Sequence, residues 1–254
     1  MRYLLISCEI FFREICLVAS RSPHRIDLQF LPKGLHDLGA ARMQAKLAEV
    51  LAGVDEAPYD AILLGYALCN NGVVGLKART KPLVVPRAHD CITLFLGSKE
   101  RYLEYFHNNL GTYFLTSGWV ERGWGAEGQL AQSSIEHQTG MDQTYQQLVE
   151  KYGEDNAKFL YDQLVDTSHN YHKYAYISVG LDTDARFEAA ARRLAAERQW
   201  EFERVEGEMG LIERLVNGPW AEREFLVVLP GQQIAASYDP EQIITAVDAK
   251  PADK

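Results

Sequence analysis

Three of the four cysteines, Cys8, Cys69 and Cys91, each follow a short apolar run that is typical of a buried strand. His89 lies two residues before Cys91. Thiolates and neutral imidazoles are the ligands that zinc prefers, and three thiolates can also hold an iron–sulfur cluster with one open iron. These residue types therefore indicate a metal site made of Cys8, Cys69, Cys91 and His89. Three protein ligands with one exchangeable position is the pattern of a catalytic metal.

The same cysteines also allow a plainer interpretation. Free cysteines are often buried as small hydrophobic side chains, and the paired Cys-x-x-Cys spacing of many structural zinc sites is absent. The fourth cysteine, Cys16, lies inside the apolar run at residues 15–18, where we expect it to serve only packing. Metal ligation and simple burial thus remain open for the other three.

Charged residues next to these cysteines could move protons or hold an anion. Glu9 follows Cys8 and is a candidate proton carrier, although a solvated carboxylate is equally plausible. Arg87 is a candidate for holding a carboxylate or phosphate, with a structural salt bridge as the alternative. His89 is either the fourth ligand or an acid/base group. For Asp90, capping of the following helix is the expected role.

Further polar residues could contact a cofactor at the same place. Asn70 and Gly72 offer amide and backbone donors, although a plain turn explains them equally well. His36 is predicted in a loop and is a weaker candidate. Trp119 and Trp124 fall in a glycine-rich stretch that we expect to form a loop, and this loop could cover a substrate.

Apolar strand-like runs alternate with helix-like segments along most of the chain, which predicts an α/β protein with a doubly wound, mostly parallel sheet and helices on both faces. We expect strands at residues 3–7, 26–30, 59–66, 82–85, 112–115, 174–179, 200–205 and 224–229. We expect helices at residues 37–51, 73–78, 90–108, 142–152, 155–167, 182–198 and 207–216. In a parallel sheet the carboxyl ends of the strands lie along one edge, so distant cysteines can converge there.

The length of 254 residues suits a single α/β domain spanning residues 1–254. A helical insertion at about residues 117–172 could form a small cap on it.

Composition narrows the classes of partner. The formal net charge of −9 argues against nucleic acid or an anionic membrane as the main partner. No signal peptide and no run long enough to span a membrane is visible, so we expect a cytoplasmic protein with reduced cysteines. The phosphate loop, the dinucleotide fingerprint, the serine-hydrolase elbow and the His-Glu-x-x-His motif are absent.

Several short segments of the chain resemble a prokaryotic family, the domain-of-unknown-function family 1638. The resemblance rests on Cys8-Glu9, Leu31-Pro32-Lys33-Gly34-Leu35-His36, Leu64-Gly65-Tyr66-Ala67-Leu68-Cys69-Asn70-Asn71-Gly72, Pro86-Arg87-Ala88-His89-Asp90-Cys91, Gly111-Thr112-Tyr113-Phe114 and Gly118-Trp119. The resemblance to this family implies no particular activity. It implies an association with corrinoid-dependent methyltransferase systems for methylated amines.

The leading hypothesis is a zinc-dependent enzyme that acts on a small-molecule substrate, in one-carbon or methyl-group metabolism if that association holds. A metal-bound thiol is a good nucleophile for such transfer. One alternative is an iron–sulfur enzyme of desulfidase or redox type. Another is an accessory protein, without catalysis, that binds a corrinoid or a methyltransferase subunit. The expected protein partners are then a corrinoid protein or a methyltransferase.

Overall fold

The computed structural model of the protein describes residues 1–123, 144–161 and 170–249. Its strands are β1 (Arg2–Cys8), β2 (Arg25–Leu31), β3 (Ala61–Gly65), β4 (Leu83–Pro86), β5 (Thr112–Thr116), β6 (Lys173–Ser178), β7 (Glu201–Glu206), β8 (Phe225–Val228), β9 (Gln232–Ala236) and β10 (Ile244–Asp248). Its α-helices are α1 (Phe12–Arg21), α2 (Ala40–Ala52), α3 (Cys91–Leu96), α4 (Lys99–Asn108), α5 (Ser117–Glu121), α6 (Tyr145–Tyr152), α7 (Glu154–Leu160), α8 (Arg186–Arg198) and α9 (Gly210–Asn217). Two 3-10 helices cover Glu9–Phe11 and Lys33–Leu38.

A five-stranded sheet forms the centre of the molecule, in the order β2-β1-β3-β4-β8. The pairs β1–β2, β1–β3 and β3–β4 are parallel, and β8 closes the edge antiparallel to β4. Strands β3 and β4 are buried along their whole length. This agrees with their continuous apolar runs, which are typical of a parallel sheet that is covered on both faces. The predicted α/β class with a mostly parallel sheet is confirmed.

A second, three-stranded parallel sheet has the order β5-β6-β7. Successive side chains of β6 point to opposite faces of this sheet and pack in two different cores. Ala175 and Ile177 join the main core with the central sheet, whereas Tyr174 and Tyr176 pack in a second cluster that includes Phe187 of α8. The main core is therefore continuous between the two sheets.

The connection from β5 to β6 contains the predicted helical insertion. Helices α5, α6 and α7 lie in the described parts of this connection, and the helical cap as a whole stays a prediction. Trp124 and parts of the two helices predicted at 142–152 and 155–167 lie outside the described residues. The single-domain division itself stays a prediction.

Local backbone signals explain where the predicted helices were wrong. Residues 73–78 form turns and an isolated bridge rather than a helix, because Gly75 has a φ of 82° and Lys77 bridges to Gln233 of β9. The helix predicted at 90–108 is two helices, since Gly97 ends α3 in the left-handed conformation and the Ser98 hydroxyl caps α4.

Three further elements differ from the sequence-based prediction. Asp37 does not cap α2, because it lies in a 3-10 helix and α2 follows Gly39 without a side-chain cap. Helix α1 was not predicted, although it holds the apolar run around Cys16. The antiparallel hairpin of β9 and β10 was also missed. Within the described segments, no helix is both long and apolar enough to cross a bilayer.

Candidate functional site

A cavity of about 260 Å³ opens at the carboxyl ends of the parallel strands of the central sheet, and Cys8, Cys69 and Cys91 all line it. Each thiol belongs to a different strand: Cys8 ends β1, Cys69 follows β3, and Cys91 follows β4. The order β2-β1-β3 means that the chain turns to opposite sides after β1 and β3. Ligands of open α/β sheets bind at such a switch point. The predicted convergence of the three cysteines on one edge of the sheet is therefore observed.

Cys8 lies where β1 passes into the first 3-10 helix, as its N-terminal flanking residue. Burial raises the pKa of the Cys8 thiol to about 12, while the Ile10 backbone N–H, which donates to the sulfur, and the Lys33 ammonium oppose that rise. The turn of the chain after β1 thus supplies a donor to the sulfur.

Cys69 is held in an unusual loop. Cys69, Asn70 and Asn71 are consecutive non-glycine residues in the left-handed conformation, with φ values of 44°, 55° and 65°. Asparagine tolerates this region, whereas cysteine rarely adopts it, and such a residue costs roughly 1–3 kcal/mol. The Cys69 backbone N–H donates to the His89 carbonyl at 2.9 Å. The structure therefore holds a strained backbone in place at the cavity.

Cys91 begins helix α3, and Asp90 caps that helix. The Asp90 Oδ1 accepts hydrogen bonds from the backbone N–H groups of Ile92 at 3.0 Å and Thr93 at 3.3 Å. This confirms the expected capping role of Asp90. Burial raises the pKa of the Cys91 thiol well above its usual value, and a hydrogen bond from the Trp119 side chain opposes the rise.

All three cavity thiols share one arrangement. Burial raises the pKa of each thiol, that of Cys69 to about 12, and for each a hydrogen-bond donor favours the ionised form: the N–H groups of Ile10, Ala67 and the Trp119 indole. Charge on Cys8 and Cys69 also raises the pKa of Cys91, as expected for three thiols that line one cavity. The cavity thus presents neutral thiols together with donors that would stabilise thiolates, once a cation offsets the cost of burying their charge.

The sulfurs do not, however, converge on a single point. Among the described residues, no three Cys, His, Asp or Glu side chains form a group that could hold one metal ion. The thiols instead lie around a cavity that is wider than a single ion. The donor types suit a thiolate-bound metal, but a single zinc would require the walls to move inward.

His89 does not join the cysteines. Its side chain is half-buried against the ring of Tyr102, with ring centroids 6.3 Å apart, and it is not among the described residues that line the cavity. Its backbone carbonyl accepts the Cys69 N–H instead. The structure thus places the predicted fourth ligand outside the site.

Arg87 and Glu9 have structural partners. The Arg87 guanidinium donates to the carbonyl oxygens of Glu222 at 2.7 Å and Gln242 at 2.9 Å, and also to that of Ile244. These contacts lie away from the cavity, so the guanidinium does not face an anion held there. The Glu9 carboxylate accepts the Lys33 N–H at 3.0 Å and lies 3.5 Å from Arg122, beside the cavity rather than in its wall.

Of the residues predicted to contact a cofactor, two line the cavity and one does not. Asn70 and His36 line the cavity. The His36 Nδ1–H donates to the Lys33 carbonyl at 2.6 Å, and its Nε2 lies 2.7 Å from the Asp37 carboxylate. Gly72 serves packing, because a Cβ there would lie 2.2 Å from the sulfur of Met43.

Sequence reasoning missed Tyr66 and Lys33. Both are buried and both line the cavity, and the Lys33 ammonium lies 5.4 Å from the centre of the Trp119 ring. Burial raises the pKa of the Tyr66 hydroxyl well above its usual value, and charges on Cys8, Cys69 and Glu9 add to the rise. Tyr66 is the last residue of the strand predicted at 59–66, and this place at a strand end was the available signal.

The fold and the site define an α/β protein with a thiol-lined cavity at the switch point of its central sheet. The model of one family, a protein family of unknown function designated DUF1638, matches residues 30–216. The chain belongs to this family, as its motifs indicated. Cys69 and Cys91 fall inside the matched range, whereas Cys8 lies before it. No curated protein and no solved structure matches the chain.

Proposed function

We propose that the cavity holds a metal centre on the thiolates of Cys8, Cys69 and Cys91, and that the protein is an enzyme acting on a small molecule there. The observation that carries this proposal is the placement of the three thiols around one cavity. Each comes from a different strand end of one sheet edge. Simple burial explains the raised pKa of each thiol but gives no reason for all three to line the same cavity.

The geometry favours an iron–sulfur cluster over the zinc that the sequence first suggested. A single ion needs three sulfurs around one point, and the described residues offer no such group. A cluster bridges sulfurs that stand apart, and hydrogen bonds to those sulfurs tune its potential. With three cysteine ligands, one iron stays open to exchange. When bound, such a centre supplies an open Lewis-acidic iron and one-electron chemistry.

The remaining wall indicates the size and character of the substrate. Ile10, Phe11, Met43 and Trp119 give the cavity a largely apolar wall. A volume of about 260 Å³ is small for a ligand pocket and suits a small molecule rather than a corrinoid macrocycle. A corrinoid protein or a methyltransferase, if either is a partner, would therefore meet the outer surface rather than insert its cofactor.

Metal and sulfide analysis of protein purified without oxygen tests this proposal. We expect bound iron with acid-labile sulfide and broad visible absorption. A zinc content near one per chain would instead support the single-ion form. Cys69→Ala should lower the metal content at least about tenfold, because it removes one of three ligands.

Cys16→Ala is the matched control, since Cys16 lies in α1 and is not among the described residues that line the cavity. It should leave the metal content unchanged. Wild-type protein with neither iron nor zinc, even after reconstitution with iron and sulfide, would overturn the proposal. Equal losses in the two variants would also overturn it.

A further inference from the structure

The interior of the thiol cavity is built mainly from apolar side chains. Ile10, Phe11, Met43 and Ala67 line it, and each is at most 2% exposed. The free cysteine thiols that share this wall behave as small hydrophobic groups. The cavity volume of about 260 Å³ exceeds the volume of about 150 Å³ in which a dry apolar cavity holds one benzene ring. The space therefore suits a molecule of roughly ten non-hydrogen atoms.

Two of the polar residues that line the cavity lie at its mouth. His36 and Asn70 are exposed to solvent, whereas the apolar residues of the wall are buried. The His36 imidazole is bound by its own segment, through the Lys33 carbonyl at 2.6 Å and the Asp37 carboxylate at 2.7 Å. His36 and Asn70 therefore meet solvent at the entrance rather than a ligand enclosed in the interior.

Lys33 and Asp90 carry charge in the wall, and the protein itself binds both charges. The Asp90 carboxylate accepts two backbone N–H groups of α3, and it accepts the Tyr102 hydroxyl at 2.9 Å. The Lys33 ammonium donates to the Gly123 carbonyl and lies over the ring of Trp119. A ligand of opposite charge would have to compete with these contacts before it gained a partner.

An ion placed in this interior would lose its hydration without a matching gain. The Tyr66 hydroxyl offers little compensation, because its oxygen is itself buried. Moving an unpaired ion from water into a protein interior is strongly unfavourable, whereas an apolar group gains free energy by the same transfer. The wall thus favours a neutral molecule over an ion of the same shape.

We propose that the cavity binds an uncharged, largely apolar small molecule, and that it rejects carboxylates, phosphates and ammonium ions of similar size. This inference rests on the proposed function only in taking the cavity as the place where the substrate binds. It adds the class of substrate, which the metal centre alone leaves open. Specificity would then come from the shape of the wall rather than from an ion pair.

Two pairs of probes that differ in charge but hardly in shape test this proposal. Acetophenone is the neutral counterpart of benzoate, and ethylbenzene is the neutral counterpart of benzylammonium. We expect titration calorimetry on the whole chain, purified without oxygen, to show binding of both neutral probes. Each ion should bind at least about 100-fold more weakly than its neutral counterpart, because it would enter the cavity unpaired.

Methionine methyl groups show where a probe binds. In protein labelled with ¹³C at these methyl groups, the Met43 signal is assigned by its loss in Met43→Leu, and it should shift as each neutral probe binds. Met209 is the internal control, since it precedes α9 and is not among the described residues that line the cavity. Its signal should stay in place.

Two results would overturn the inference about the substrate. One is that benzoate or benzylammonium binds as tightly as its neutral counterpart and shifts the Met43 signal. The other is that neither neutral probe shifts that signal. Both results would leave the metal content, and with it the proposed function, untouched. Conversely, protein that stays metal-free after reconstitution but binds the neutral probes at Met43 would overturn the metal centre and support the inference.

Discussion

At the scale of single residues, Glu14 is a buried carboxyl group that the cavity does not use. It lies in α1, fully buried, and Ser117 of α5 donates to its Oε1 at 3.1 Å. Its Oε2 has no partner among the described residues. Burial raises the pKa of Glu14 to about 7, more than its own backbone, Ser117 and Arg13 lower it. This carboxyl therefore changes its charge near neutral pH.

Glu14→Gln should change how stability depends on pH. The folded pKa of Glu14 is above its unfolded value of 4.5, so the folded state binds the proton more tightly. The wild type therefore loses stability as the pH rises from about 4.5 through 7, by on the order of 3 kcal/mol for this group. The variant should be more stable than wild type at pH 8 and similar near pH 4, as measured by urea unfolding across this range.

The control for this prediction is Glu201→Gln, which changes an exposed carboxyl group on β7. Its stability difference from wild type should stay nearly constant with pH. Parallel curves for Glu14→Gln and wild type would contradict the assignment of Glu14 as a buried, readily protonated group.

At the scale of elements, the cavity depends on a close approach of α5 to the 3-10 helix Glu9–Phe11. A Cβ on Gly118 would lie 1.8 Å from the Ile10 carbonyl oxygen, which is too close for any residue other than glycine. The glycine lets α5 lie on the backbone that follows β1. The next residue, Trp119, then reaches the cavity that Cys91 also lines.

Gly118→Ala should therefore push α5 away from the cavity. We expect the free energy of unfolding to fall by about 1–3 kcal/mol or more, because the added Cβ clashes with backbone atoms and side-chain movement cannot relieve the clash. The content of bound metal should fall as well, since Trp119 moves with the helix. Thermal unfolding and metal analysis of the folded fraction measure the two effects.

Gly53→Ala is the comparison, because a Cβ at Gly53 would meet no atom closer than 3.6 Å and the φ of −78° there suits alanine. This variant should keep both the stability and the metal content of wild type. A Gly118→Ala protein that behaved in the same way would show that the close approach does not position Trp119.

At the scale of the whole molecule, Arg87 joins parts of the chain that lie far apart in sequence. It follows β4, and its guanidinium binds carbonyl groups just before β8, at residue 242 and in β10. It thereby holds the hairpin of β9 and β10 to the central sheet. All three acceptors are backbone carbonyl groups, so this one side chain ties together three points of the backbone.

Arg87→Met should loosen this attachment without affecting the thiol site. Loss of the guanidinium removes three hydrogen bonds to backbone carbonyl groups, for which we expect a loss in the free energy of unfolding of more than about 2 kcal/mol. Amide exchange in β10 should accelerate, while the metal content per folded molecule stays unchanged. Arg223→Met, at a largely exposed arginine, should change neither quantity. A selective loss of metal or substrate binding in Arg87→Met would instead favour the anion-holding role first expected for it.

Local patterns in the sequence were sufficient for most elements. The continuous run Ala61–Gly65 and its counterparts on β1 and β4 predicted strands within one or two residues, because apolar periodicity reports which faces are buried. The type and order of the strands then predicted a parallel sheet. The hairpin of β9 and β10 was missed, because its short strands follow Pro230 and Gly231, residues typical of a chain turn, and no strand is predicted beyond residue 229.

The sequence by itself determined that Cys8, Cys69 and Cys91 would meet at one edge of a sheet, since parallel strands end on the same side. Only the tertiary structure decided which neighbours join them. His89 and Arg87 turn away, whereas Tyr66, Lys33 and Trp119 line the cavity. The physical reason is that strand formation depends on residues a few positions apart, whereas the direction of a loop side chain depends on packing between segments that are distant in sequence.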